Sequence, residues 1–453
     1  MLTWPQLWQS GMLSLDIALA AHAPHGALAA RRARRLAALM AAARGSAFWR
    51  ERFARYGPAF EAQPPLGKAE LMARFDDSVC DRRVTRSAVE DFMREPANIG
   101  AAFAGRYTVW QSSGSSGVAG LFVQDEAAMG VYDALESVRR LPSPRRWLDP
   151  ALATERIAFV GATGGHFASI VSVERLRRLL PGMVAGLRAF SFLEPLPRLR
   201  AALQAWQPTI VATYPSAAVM LAEEAAAGRL ALSLREVWTG GEALGEGMRA
   251  FVAGQFGCAV LASYGASEFM ALASECGHRR LHLNSDWVVL EPVDERGLAV
   301  PPGSAGHTTL LTNLANHVQP LIRYDLGDRV CLHDEPCDCG SALPVIEVEG
   351  RVDDALQVRG DGGRGVCLPP LALTTVIEDE GGWFDFQLVQ RGPRSLRLTL
   401  AGAADDAAAR RAGDALRAYL GAQGAGSVRL EVRCGAATVR GRSGKLPRVV
   451  AHA

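Results

Sequence analysis

The run Gln111-Ser112-Ser113-Gly114-Ser115-Ser116-Gly117 sets four hydroxyls and two glycines in six positions. Glycines let a backbone bend close around an anion, and the hydroxyls and N–H groups of such a turn supply donors. The run lacks the spacing and the lysine of the G-x-x-x-x-G-K-[ST] phosphate loop. A flexible Ser/Gly linker is the alternative, but apolar segments bracket the run closely, YTVW before it and VAGLFV after it. Of the 49 basic residues only two are lysines, Lys68 and Lys445. Arginine cannot replace a compact, mobile ammonium, and Lys445 stands in the Gly-rich segment Gly441-Arg442-Ser443-Gly444-Lys445. Lys68 has no comparable setting. Cys276, His282, Cys337 and Cys339 offer three thiolates and an imidazole, the donor set of a closed structural zinc site. His278 competes as the nitrogen ligand, and C-x-C is not the usual zinc spacing, so a metal-free cluster stays open.

The elements that must position these residues change character along the chain. The first hundred residues read as Arg- and Ala-rich amphipathic helices, with the arginines on a solvated face. From about residue 107, short apolar runs lead into glycine turns, as in RIAFVGATGG, PTIVATYP, LREVWTGGEAL and CAVLASYGASE. That alternation predicts an α/β fold with its sites in the loops after the strands. Residues 286–348 read as strand-rich and the last hundred as a small α+β unit. At 453 residues the chain exceeds one ordinary core. A net charge of +2 and 21% charged residues give no electrostatic reason to expect nucleic acid. The N-terminus lacks a signal-peptide pattern, no apolar run is long enough to span a membrane, and the eight cysteines are scattered. A reducing cytoplasm is therefore expected.

Four segments follow the Ser/Gly run in order: Ser263-Tyr264-Gly265-Ala266-Ser267-Glu268, Arg323-Tyr324-Asp325-Leu326-Gly327-Asp328, Gly350-Arg351-Val352-Asp353-Asp354 and Ser443-Gly444-Lys445. Together they resemble the ordered core motifs of the adenylate-forming superfamily of acyl-CoA synthetases and related ligases, and most closely its phenylacetate–CoA ligase branch. AFWRERFARYG, LGKAELMARFDD, WTGGEAL and TNLANHVQPLIRYDLGD support the likeness, which runs from about residue 35 to the C-terminus. It implies a large, multi-layer N-terminal domain with mixed sheets (1–349, its first hundred residues helical), a hinge at 350–354 and a small, mobile α+β C-terminal domain (355–453). It also implies two steps. A carboxylate attacks the α-phosphate of ATP to give acyl-AMP and pyrophosphate, and a thiol, that of CoA or of a carrier protein, then displaces AMP. An amine or other small nucleophile is the alternative acceptor.

The residue roles implied are these. Ser112, Ser113, Gly114, Ser115, Ser116 and Gly117 hold the β- and γ-phosphates of ATP. Glu268 binds Mg²⁺, a hard cation suited to carboxylate and phosphate oxygens, and Ser267 donates to the α-phosphate. Asp328 accepts from the ribose hydroxyls, with Arg351 nearby. Gly240, Gly241, Glu242, Tyr264 and Gly265 line the nucleotide site. Asp353 is the hinge residue, and Lys445 bridges carboxylate and α-phosphate as charge develops. The loop ends in Val118-Ala119-Gly120, where the superfamily often has lysine. The phenylacetate branch commonly lacks that lysine, and some of its members carry a metal at positions like those of the Cys/His set. His166, Phe167, Tyr214 and Ala266 line the acyl pocket, and the rings of the first three suggest an aromatic or arylacetic acid. Monomer and homodimer are both open.

Overall fold

The computed structural model describes residues 4–112, 119–140, 154–180, 185–192, 194–351, 356–368, 370–383, 385–401, 405–435 and 448–451. They form two compact units: 1–191, 261–326 and 330–347 in the first, and 192–260, 327–329 and 348–453 in the second.

The first unit opens with six helices, α1 (Trp4–Ala20), α2 (His25–Ala43), α3 (Ala47–Tyr56), α4 (Lys68–Ala73), α5 (Phe75–Ser78) and α6 (Arg86–Arg94). Side-chain caps fix two of their starts: Ser46 accepts from the Trp49 N–H at 3.3 Å and Thr85 from the Ala88 N–H at 3.3 Å. The arginines here are not simply a solvated face, as the sequence pattern predicts. Arg35 and Arg52 are buried. Arg35 stacks 3.5 Å above Trp287 and donates to the buried Asp286, while Arg139 grips that carboxylate with two nitrogens at 2.6 and 2.8 Å. Arg52 reaches Glu70 at 2.6 Å and the Pro64 carbonyl at 2.7 Å. A guanidinium can be buried when its fork of donors is filled in this way.

After the helices come the hairpin β1 (Thr108–Gln111) and β2 (Leu121–Gln124), then α7 (Glu126–Arg139), which Asp125 caps. A parallel crossover follows: β3 (Ile157–Gly161), α8 (Ala168–Leu179) and β4 (Leu187–Ser191), with Ile157 opposite Leu187. Strand β3 is buried along its whole length, on both faces, as the inner strand of a parallel sheet requires. In the second unit α9 (Leu196–Trp206) leads to another such crossover, β5 (Ile210–Thr213), α10 (Pro215–Ala226) and β6 (Glu236–Thr239), and then to α11 (Glu246–Phe256).

Strand β7 (Ala259–Tyr264) carries the chain to an antiparallel run in the first unit. It pairs with β8 (Ala273–Glu275), and β8 with β9 (Leu281–Leu283). Next come β10 (Val288–Val293), β11 (Thr308–Asn313) and β12 (Tyr324–Asp325) as a separate antiparallel sheet, then β13 (Asp328–His333). Strand β14 (Val345–Arg351) pairs with β9, Val345 opposite His282. The sheets are thus mixed, and the fold is α/β.

The rest of the second unit is α+β: the pair β15 (Leu356–Arg359) and β16 (Gly365–Leu368), α12 (Pro370–Thr375), a π-turn at Val376–Glu380, β17 (Phe386–Gly392), β18 (Ser395–Leu400), α13 (Asp406–Ala422), β19 (Arg429–Cys434) and β20 (Val449–Val450). Strands β19-β18-β17-β20 lie in that order. Leu356, Phe386, Leu388, Leu398 and Leu416 belong to their own buried cluster. Among the described residues no helix is long and apolar enough to cross a membrane.

Candidate active site

In the first unit the β1–β2 hairpin carries the Ser/Gly run, and its base is closed twice. The Ser112 N–H donates to the Gly120 carbonyl and the Gly120 N–H to Ser112 Oγ, both at 2.8 Å. Ser113, Gly114, Ser115, Ser116 and Gly117 lie outside the described residues. Behind the hairpin base, the Gln111 N–H donates to the His166 carbonyl at 2.8 Å, and Gln111 bridges Phe167. The His166 ring is 1% exposed and edge-on to Phe92 at 6.0 Å, and its Nε2 has no partner among the described residues. Desolvation lowers its pKa, against a bond to the Asn98 backbone, so the ring is neutral at pH 7. Phe167 is half-buried at the start of α8.

The 263–268 segment leaves β7 through a tight turn. The Ala266 N–H donates to the Phe269 carbonyl at 3.0 Å and the Phe269 N–H returns to Ala266 at 3.2 Å. Tyr264 is still paired in β7, opposite Ala273. Gly265 is required sterically, because a Cβ there would strike the Met270 carbonyl. Tyr264, Gly265, Ala266 and Ser267 are half-buried, and Glu268 is buried at 7% exposure.

Buried amides, which the sequence reading passed over, hold both of these segments. The Ser267 carbonyl accepts from Trp110 Nε1 at 2.8 Å, and the Glu268 carbonyl from Asn313 Nδ2 at 2.9 Å. Asn316 Nδ2 donates to the Val123 carbonyl at 2.8 Å, while Gln319 accepts from the Val123 N–H at 2.9 Å and donates to Leu121 at 3.1 Å. One stretch, 313–319, therefore braces the exit strand of the Ser/Gly hairpin and the Glu268 turn. Its signal was three amide side chains within seven apolar-flanked residues, TNLANHVQ. Arg323, just beyond, adopts φ +50° and is held by Glu291 at 3.2 Å and the Gln63 carbonyl at 2.7 Å.

In the second unit Gly240, Gly241 and Glu242 follow β6. The Gly240 N–H reaches the Thr213 carbonyl at 3.3 Å, and Gly241 has φ +77°, a conformation that favours glycine. Both Glu242 oxygens serve the first turn of α10, accepting from the Ser216 N–H at 3.0 Å and from its hydroxyl at 3.1 Å. A carboxylate suits that positive helix end. Tyr214 precedes α10, buried and edge-on to Phe192 at 5.7 Å. Asp328 begins β13, buried, after Gly327 at φ +68°. Arg351 ends β14. Asp353 and Lys445 lie outside the described residues.

The cysteine–histidine set does converge in the first unit. The donor atoms of Cys276, His282, Cys337 and Cys339 all lie within 4.8 Å of one another, and His278 is not part of the group. Cys276 and Cys337 sulfurs are 3.8 Å apart, and Cys339 Sγ is 3.3 Å from His282 Nε2. His282 is buried and its pKa is lowered, by desolvation first. Its Nδ1 donates to the Leu343 carbonyl at 2.8 Å, which leaves Nε2 as a lone-pair donor toward the sulfurs. Tetrahedral zinc with Zn–S of about 2.3 Å sets S···S edges near 3.8 Å and S···N edges near 3.5 Å. The residues present fit such an ion.

Residues 173–309 match the family model described as AMP-binding enzyme. This chain has the adenylate-forming fold. A 2-hydroxyisobutyryl-CoA ligase, solved in the postadenylation state with 2-HIB-AMP, superposes with a TM-score of 0.66 at 20% identity over 94% of this chain and 90% of that one. An anthranilate CoA ligase in complex with anthranoyl-AMP gives 0.54 at 17% identity over 75% and 64%. A benzoate CoA ligase from Burkholderia xenovorans LB400 gives 0.50 at 17% identity over 72% and 65%. No curated protein sequence matches the chain significantly.

Proposed function

We propose that this chain uses ATP to convert a carboxylic acid into its acyl-adenylate and then passes the acyl group to the thiol of CoA. A carboxylate oxygen attacks the α-phosphorus, the bond to pyrophosphate breaks, and acyl-AMP forms. The CoA sulfur then attacks the acyl carbon, its proton leaves, and AMP departs as a better leaving group than oxide. The AMP-binding match at 173–309 carries this reading, because the Ser263–Glu268 turn with its buried carboxylate falls inside it. Residues 1–349 would act as the adenylation domain, 350–354 as the hinge and 355–453 as the small domain.

In this reading Ser112 to Gly117 cradle the β- and γ-phosphates, and Glu268 holds Mg²⁺, which would neutralise phosphate charge. Ser267 donates to the α-phosphate, Asp328 accepts from the ribose, Arg351 lies by it, and Lys445 stabilises the charge that develops in adenylation. Gly240, Gly241, Tyr264 and Gly265 admit the flat base by close backbone approach. Glu242 supports that segment through its bonds to Ser216. An aromatic or arylacetic acid is the proposed substrate, in the phenylacetate–CoA ligase manner. The buried Tyr214, edge-on to Phe192, supports an acyl site with aromatic walls. Cys276, His282, Cys337 and Cys339 are proposed to hold a structural zinc ion, which would tie β9 to the 337–339 turn.

The test is pyrophosphate release with ATP, Mg²⁺ and a panel of aromatic and aliphatic acids, with and without CoA, and mass spectrometry of the products. Acid-dependent release that yields a thioester only with CoA supports the proposal. Acyl-AMP that accumulates unchanged by CoA transfers the second step to a carrier-protein thiol or an amine. No release with any acid contradicts adenylation itself.

A further inference from the structure

Among the described residues, large apolar side chains stand exposed at Trp8, Met12, Leu15, Leu19, Tyr56 and Leu298. Four of these six lie on α1, spaced four, three and four residues apart. At 3.6 residues per turn they fall within about 60° of one another, as one stripe along the helix. Trp8 is 73% exposed, and the other three are each just over half exposed. The opposite side of α1 is packed into the first unit: Ile17 and Ala20 are fully buried, and Leu13 lies over Gly130 of α7. The Ile17 carbonyl accepts from Arg139 Nη2 at 3.1 Å, and Asp16 pairs with Arg31 at 2.9 Å and Arg35 at 2.5 Å. The helix is anchored through one face, and its apolar stripe is turned away from the core.

Area, charge and spacing together select an occupant. The four side chains offer on the order of 450 Å² per chain, within the range of the largest, often functional, patch of a monomer. Two copies of the stripe would cover about 900 Å² through these residues alone. Exposed Gly11 and Ala18 beside them carry the total to the roughly 1,000 Å² that a specific interface needs. Asp16 is the sole charged residue of α1, and its carboxylate is taken up by Arg31 and Arg35 of its own chain. A second copy therefore brings no like charge against the stripe. The helix has no lysine or arginine, so it lacks the basic polar face of a helix that lies on an anionic membrane.

The spacing is also self-complementary. Four-three-four reads the same in both directions, and it is the spacing of a coiled-coil seam. A two-fold axis midway between Leu13 and Ser14 sets Trp8 opposite Leu19 of the second copy and Met12 opposite its Leu15. Symmetry repeats both pairs, so all four side chains of each copy are covered.

We propose that α1 is a dimer interface: two copies of this chain pack their Trp8, Met12, Leu15 and Leu19 stripes antiparallel about a two-fold axis. The inference stands on the first unit alone and does not depend on the adenylation reading.

The experiment is sedimentation velocity of the full-length protein. From about 1 to about 100 µM, one chain should give way to two, as an interface near the lower size limit predicts. Met12→Glu and Leu15→Lys each enter the seam twice, once per copy, and should weaken the dimer by at least about 100-fold. Mixing the two variants creates, in the antiparallel register, one carboxylate–ammonium pair and one Met–Leu pair. An equimolar mixture should therefore form a heterodimer where neither variant dimerises alone, which also shows that both are folded. A wild type that stays monomeric over this range, a dimer that survives Met12→Glu, or a mixture that stays monomeric would each overturn the proposal. A monomeric wild type that floats with phosphatidylcholine–phosphatidylglycerol vesicles would overturn it too, and would assign the stripe to a lipid surface.

Discussion

Replacing Asn313 by Ala removes a buried amide that serves four groups at once. Asn313 is fully buried. Its Nδ2 donates to the Glu268 carbonyl at 2.9 Å and to Tyr132 Oη at 2.8 Å, and its Oδ1 accepts from the N–H groups of Ala315 and Asn316 at 3.0 and 3.2 Å. Tyr132 keeps a bond to Gln124, while three backbone groups lose their bond to the amide. Each buried unsatisfied group costs roughly 1–3 kcal/mol, and shared relaxation keeps the three from adding in full, so a loss of about 3–5 kcal/mol is expected. That loss is read as a fall in the urea midpoint at constant slope. The same change frees the backbone at Glu268, so the Mg²⁺ concentration that half-saturates pyrophosphate release should rise. Release itself should fall by up to about 100-fold, the penalty of a displacement near 1 Å. An Asn313→Ala protein with wild-type urea midpoint and wild-type Mg²⁺ dependence would refute the claim that the 313–319 stretch braces the Glu268 turn.

Purified protein should carry about one equivalent of zinc by elemental analysis, and Cys337→Ser with Cys339→Ser should carry close to none; a metal-free wild type ends the zinc proposal. Gly265→Ala should abolish acid-dependent pyrophosphate release, because its Cβ meets the Met270 carbonyl; a variant of unchanged activity contradicts the turn geometry. Hydrogen bonds from Arg229, helped by those from Arg200, hold the Glu224 carboxyl down to about 2. A folded pKa below the unfolded one gives stability that is present above about pH 4.3 and lost as pH falls toward 2. Glu224→Gln should therefore lower stability at pH 7 and flatten the acid limb of the curve, so that variant and wild type converge as pH falls toward 2.

Much of the site could be read from local strings. Ser263–Glu268 falls on the turn after a strand and Gly240-Gly241-Glu242 on another, because strand-then-glycine punctuation survives in sequence. The Cys/His quartet was legible for a chemical reason, since few other uses gather three thiols and an imidazole. What the sequence hid depends on partners far along the chain. Arg35 meets Asp286 across 251 residues, so its helix looked like a solvated basic face. Asn316 and Gln319 looked like loop polar residues until the strand that they support lay beside them, 193 and 198 residues away.

The most direct test of the central claim is acid-dependent exchange of labelled pyrophosphate into ATP by the wild-type enzyme and by Lys445→Ala. Adenylation is reversible within the enzyme, so exchange reports the first half-reaction alone and needs no knowledge of the acceptor. The account predicts exchange with at least one carboxylic acid, dependent on Mg²⁺, and a loss of about 100- to 1,000-fold in Lys445→Ala, the scale for removal of one preorganised charge from a transition state. Exchange that proceeds equally well without that lysine would contradict the account.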